Sequence, residues 1–219
     1  MTKLVAPLLL ALAGLAATAT TAQAQDVKRG EQRAAQCIGC HGIPGYQSSF
    51  PEVHKVPMIS GQNAEFIVAS LQAYAKGERK HPTMRGIAGM LSEQDMLDLG
   101  AFYQQHAASM IKPVAETPAR QPSAAVQALL TKGACASCHG VNFNKPISGV
   151  TPKIAGQHAD YLYVALRAYG TEGNRNIGRA NAIMSAQVKQ FSRAELKQMA
   201  DYIATLPGDL RVVQQPRFR

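Results

Sequence analysis

Beyond its first two dozen residues this 219-residue chain has no long apolar run, which excludes a bundle of membrane-spanning helices. Charged residues are sparse at 17%, yet apolar residues reach 46%, so a disordered chain is excluded too and a folded globular protein is expected. Tryptophan is absent. Cysteine is scarce, four in all, and none is left over once they are sorted into two close pairs. No stretch reads as a confident strand, and nothing resembles the strand and helix alternation of a parallel sheet.

What the chain does have begins with a leader. Lys3 precedes the apolar run from Leu4 to Ala17, and Ala22-Gln23-Ala24 supplies the small residues that come before a cut. Thr18, Thr20, Thr21 and Gln23 arrive too early for the ~20 apolar residues of a membrane span. Residues 1–24 are therefore expected to be a signal peptide cleaved after Ala24, leaving an exported, soluble protein. Four cysteines in an oxidising compartment first suggest two disulfides. Their spacing argues otherwise.

Cys37 and Cys40 are followed at once by His41, and Cys135 and Cys138 by His139, so the pattern C-x-x-C-H occurs twice. Two thiols about one helical turn apart form thioethers to the two vinyl groups of a haem, and the adjacent histidine lies under the iron as its proximal ligand. A thioredoxin-like redox pair shares the spacing but sits near a βαβ pattern, which is missing here. A Cys/His zinc site is the other rival, and it rarely uses every cysteine of an exported chain. Two covalently bound haem c groups are the expectation.

The chain also repeats itself. Val56 to Phe66 matches Thr151 to Tyr161 through a shared Pro-x-Ile-x-Gly-Gln, and Leu71, Ala73 and Tyr74 match Leu166, Ala168 and Tyr169. With a one-residue insertion, Gly77 and Arg79 then face Gly173 and Arg175. Pro113, Pro118 and Pro122 punctuate an aperiodic stretch between the halves, which reads as a linker. The expected architecture is all-α: domain 1 at 25–113, a linker at 114–123 and domain 2 at 124–219, each domain of three to four helices wrapped around a haem. Asp26 is expected to cap the first helix, and Ser92 to Asp95 and Ser192 to Glu195 read as capping boxes opening the last helix of each half.

The repeat selects the second axial ligand. Met84 lies eight residues before Ser92 and Met184 eight before Ser192, in what reads as the loop leading into the last helix. No other methionine recurs in register: Met58 faces Lys153, Met90 faces Gln190 and Met96 faces Leu196. Met96 and Met199 read as core fillers. His81 competes with Met84 but has no histidine counterpart, while His54, His106 and His158 read as surface or supporting residues. A His/Met pair fills both axial positions and raises the potential, which suits a carrier and leaves no open iron for a substrate.

These residues together resemble the di-haem cytochrome c4 family of tandem class I cytochrome c domains, over essentially the whole mature chain. The resemblance implies that the carbonyls of Pro57 and Pro152 accept the ring N–H of His41 and His139. It also implies a periplasmic carrier of single electrons, from a quinol-oxidising complex towards a terminal oxidase or reductase. An electron-transfer subunit held on a periplasmic dehydrogenase is the alternative, and a di-haem enzyme such as a peroxidase fits less well. The partners expected are redox proteins, with no small-molecule substrate and no nucleic acid, and peripheral membrane association is left open.

Charge divides unevenly. Residues 25–117 carry nine Lys or Arg and nine acids, whereas 118–219 carry thirteen against five. That asymmetry predicts that the second domain docks on an acidic partner, led by residues such as Lys145, Lys153 and Arg179. Arg79 and Arg175, matched in the repeat, are open between haem carboxylate partners and plain solvated arginines.

Overall fold

The structure, a computed structural model, describes residues 24–214. The leader, except Ala24, therefore lies outside the described residues, as do Arg217 and Arg219.

Among the described residues each half contains five α-helices, and a 3-10 turn at Ala108–Met110 follows those of the first. The first half has α1 (Val27–Arg33), α2 (Ala35–His41), α3 (Ala64–Lys76), α4 (Pro82–Ala88) and α5 (Glu93–His106). The second has α6 (Ala124–Lys132), α7 (Cys135–His139), α8 (Ala159–Tyr169), α9 (Ala182–Val188) and α10 (Arg193–Ala204). Three to four were expected, and the difference has two causes. The first helix of each half breaks just before the cysteine motif, at Ala34 and at Gly133-Ala134, where Ala134 takes a left-handed φ of 45°. The methionine segment, expected to be loop, is itself a short helix, α4 or α9.

The capping signals are realised as read. Asp26 accepts the Arg29 amide at 3.0 Å, and both capping boxes form, Ser92 with Asp95 and Ser192 with Glu195. Satisfying two orphan amides reciprocally fixes where α5 and α10 begin. Helix α1 then crosses α5 at Gly30, where an added Cβ would sit 2.1 Å from the Asp98 carbonyl oxygen. Only glycine permits that approach.

Each half buries its own apolar cluster. In the first it is Ala34, Ile67, Leu99, Phe102 and Tyr103, and in the second a larger group includes Val126, Leu130, Leu162, Leu196, Met199 and Ile203. Met96 and Met199 are both 4% exposed, so they fill core as expected.

Four two-residue strands escape the sequence patterns because a ladder of two is too short to show a period. β1 (Gln47–Ser48) pairs with β2 (His54–Lys55), and β3 (Arg79–Lys80) pairs with β4 (Gly178–Arg179), both antiparallel. The first ladder accounts for the longer connection between His41 and Pro57. It leans on the second half: Lys55 pairs with Asp160 at 3.2 Å, Glu52 with Arg167 at 2.7 Å, and buried His54 stacks on Tyr161.

The second ladder joins the halves directly and corrects the repeat. Arg79 lies opposite Arg179 rather than matching Arg175, because each arginine stands two residues before the N-cap of its methionine helix, His81 or Asn181. Arg175 belongs to an exposed insertion.

The repeated Gly-Gln supplies the rest of the seam. Gly61 and Gly156 turn the chain at φ 86° and 72°, conformations that favour glycine. Gln62 then bonds to the backbone of Lys153, and Gln157 to the backbone of Met58.

Candidate functional site

Each cysteine motif occupies a short helix whose last residue is the histidine. One helical turn separates Cys37 from Cys40 and Cys135 from Cys138, so each pair of thiols lies on one face. All four are free and half-buried. Burial pushes the Cys37 thiol up to about 11, against a smaller opposing effect of the Tyr103 hydroxyl, and burial also raises Cys135. A redox-active C-x-x-C pair needs a depressed thiol instead. Among the described residues no group of three His, Cys, Asp or Glu side chains converges as a metal cluster.

The histidines are oriented from behind. His41 Nδ1–H donates to the Pro57 carbonyl at 2.8 Å, and His139 Nδ1–H to the Pro152 carbonyl at 3.0 Å. Both bonds were implied by the resemblance. They fix the tautomer and leave Nε2 with its lone pair free for iron. Burial lowers the pKa of both rings, so both stay neutral at physiological pH.

Met84 and Met184 occupy the same place in the two halves. Each is the third residue of its helix, half-buried, with its amide held by the N-cap side chain: His81 Nδ1 accepts from Met84 N, and Asn181 Oδ1 from Met184 N at 2.9 Å. His81, the rival ligand, is therefore a helix cap whose counterpart is Asn181. Burial is the main cause of the lowered His41 pKa, and Arg79 and His81 lower it further. Of the other histidines, His54 bonds to the Glu52 carbonyl at 2.8 Å and His106 to Ser60 Oγ at 3.0 Å, so both serve local packing.

Sequence reasoning missed the cluster at the seam. Arg79 and Arg179 both donate to the Tyr161 hydroxyl, at 2.8 and 3.2 Å, and Arg179 lies over the Tyr161 and Tyr169 rings. Neither guanidinium has an acidic partner among the described residues, and Arg79 Nε is buried with none at all. Two like charges held side by side call for an anion. Haem carries two carboxylates, and guanidinium suits carboxylate geometry. Thiol pairs, oriented imidazoles, matched thioethers and orphaned cations thus form a donor set that fits haem c in both halves.

The comparisons with known proteins agree. The family model described as Cytochrome c matches residues 123–207. Cytochrome c-553 of Nitratidesulfovibrio vulgaris is 40% identical over 72 residues, 33% of this chain and 69% of that protein. The chain belongs to the cytochrome c family. Cytochrome c4 of Pseudomonas aeruginosa is 28% identical, covering 94% of this chain and all of the relative. A protein of Thiomonas intermedia named thiosulfate dehydrogenase electron acceptor is 27% identical over 80% of both chains. The crystal structure of reduced cytochrome c4 from Pseudomonas stutzeri matches with a TM-score of 0.58 at 24% identity, covering 84% of this chain and 100% of that one. The fold is thus that of two tandem class I cytochrome c domains, and the chain is a di-haem c-type electron-transfer protein rather than an enzyme.

Proposed function

We propose that this protein is a periplasmic carrier in which Cys37, Cys40, Cys135 and Cys138 hold the haems as thioethers. His41 with Met84, and His139 with Met184, are the axial pairs. Bound haem supplies a one-electron couple. The observation that carries the reading is the double register: in each half a histidine tied through Nδ1 to a proline carbonyl, and a methionine at the third residue of the helix before the last one. The chain's own residues orient the imidazoles, anchor the haem and keep water from the buried donors. With both axial positions filled from the protein, electrons pass and no substrate binds iron.

A thioether raises the potential, which suits a carrier late in an electron-transfer chain, and it is the likeness to cytochrome c4 that supports acceptance from a quinol-oxidising complex and delivery to a terminal oxidase or reductase. The Thiomonas relative's name favours a second reading, in which a dehydrogenase is the donor, and we extend that reading to an electron-transfer subunit held on a periplasmic dehydrogenase. Purification alone or in complex separates the two.

Haem should remain with the polypeptide in acid acetone and on a denaturing gel, at two per chain. The oxidised protein should show the weak near-infrared sulfur-to-iron band. Met184→His should remove about half of that band and lower the potential of one haem alone. A spectrum without the band, or one unmoved by replacing either methionine, refutes the ligand assignment.

A further inference from the structure

The peptide that orients each histidine is itself held by the opposite half. The Pro57 carbonyl accepts His41 Nδ1–H at 2.8 Å, and the N–H of that same peptide, on Met58, donates to Gln157 Oε1 at 3.0 Å. In mirror fashion the Pro152 carbonyl accepts His139 Nδ1–H at 3.0 Å, and the Lys153 N–H donates to Gln62 Oε1 at 3.0 Å. Each carboxamide closes a second bond from Nε2, to the Met58 or Lys153 carbonyl, both at 2.9 Å. Gln62 and Gln157 are each 4% exposed, so water does not compete for these bonds.

We propose that the two glutamines tune the haems crosswise: Gln157 sets the electron donation of His41, and Gln62 that of His139. The proposal rests on the axial assignment above. A peptide whose N–H is engaged is polarised, with more negative charge on its carbonyl oxygen, and chained hydrogen bonds strengthen one another by roughly 10–30% per bond. That oxygen draws harder on the imidazole Nδ1–H, makes Nε2 more basic and favours oxidised iron. From Gln157 to His41 the path is two hydrogen bonds and one peptide plane. Its side chain makes no such link to His139, whose peptide is bonded to Gln62. Each half thereby adjusts the potential of the other, and separating the halves would change both.

Potentials are measured by spectroelectrochemistry, with the first haem assigned in a Met184→His background. Haem count and the near-infrared band are recorded on every variant. Their absence already in the wild type overturns the axial assignment, whereas the crosswise claim is judged only on proteins that retain them. Gln157→Leu should raise the first potential by about a threefold change in the oxidised-to-reduced ratio, ~30 mV at 59 mV per tenfold for one electron, and leave the second in place. Gln62→Leu should do the reverse. Asn63→Ala removes another seam bond, to the Thr151 carbonyl, that touches no histidine-bearing peptide, and should move neither.

A second readout does not depend on potentials. In the reduced protein the His41 Nδ1–H proton resonance should shift upfield in Gln157→Leu while that of His139 stays. Should the leucine variant fail to fold, Gln157→Met, with a side chain of the same length, also removes the acceptor, and the same resonance should again move upfield. Shifts confined to the glutamine's own half, equal shifts at both haems or no shift at either overturn the proposal and leave the glutamines as glue between halves.

Discussion

Asp95 serves two helices at once. Its Oδ2 closes the capping box on Ser92 N at 3.1 Å, and its Oδ1 takes Arg29 at 3.2 Å and Arg33 at 2.9 Å from α1. The Ser92 hydroxyl holds the carboxyl below the usual aspartate range, and the two arginines add to this against the opposing effect of burial. A folded-state pKa below the unfolded one gives stability that is full above about pH 4 and lost as pH falls through the folded value. Asp95→Asn should therefore destabilise the first half by about 1 kcal/mol at pH 7. Thermal unfolding should show the gap between variant and wild type closing in acid below that range, and a gap that persists there would refute the ionic part. At this scale the sequence was legible where partners are near in the chain. The capping box follows from three-residue spacing, but Arg29 and Arg33 are some sixty residues away and no local pattern announces them.

Among elements, the β3 and β4 ladder decides what the seam arginines do. Pairing Arg79 with Arg179 places two guanidiniums on one phenol hydroxyl, and Arg79 already acts electrostatically on His41. Removing a positive charge there favours the oxidised state. Arg79→Gln should lower the first haem's potential, while Arg175→Gln, in the exposed insertion, should change neither. A titration in which Arg175→Gln has the larger effect would restore the register read from sequence. That register failed for a physical reason. The insertion before Arg179 carries a Gly and an Arg of its own, and spacing alone cannot tell a moved landmark from a new one. The methionine helices were missed as helices because seven residues opened by His81 or Asn181 hold less than two turns of pattern, yet the repeat still paired the two methionines, because it preserved their distance from Ser92 and Ser192. The motif histidines were legible from the C-x-x-C-H spacing and their carbonyl partners only from the family resemblance, whereas the glutamines were visible only as repeated letters until the halves were seen to face each other.

At the scale of the molecule, the charge asymmetry survives, but two of the three residues first named for it do not. Lys153 is a seam residue, 17% exposed at its side chain, bonded to Asp209 and to the Gly61 carbonyl, and Arg179 is engaged with Tyr161. On the other side, Lys55 pairs with Asp160 and Lys80 bonds to the Asn174 carbonyl, so reversing any of these four would open the seam instead of testing a docking face. Exposed alternatives exist in both halves: Lys145, Arg175 and Arg193 in the second, and Lys28, Lys76 and Arg85 in the first. Lys145 is also set in the loop after the second attachment motif, among exposed Val141, Ile147 and Val150. Its pairing with exposed Glu116 at 3.3 Å is a surface contact worth little, so its charge remains available to a partner. Exposed apolar side chains with a free lysine among them suit an acidic redox protein, steered by charge and then seated by dehydration of the apolar side chains. Electron transfer to such a partner should slow steeply as salt approaches 0.15 M, where screening acts over ~8 Å. Reversing Lys145, Arg175 and Arg193 to Glu should slow it by about tenfold or more at low salt, while reversing Lys28, Lys76 and Arg85 should have little effect. Stopped-flow rates that respond equally to the two triples, or that ignore salt, would show that the charge asymmetry does not guide docking.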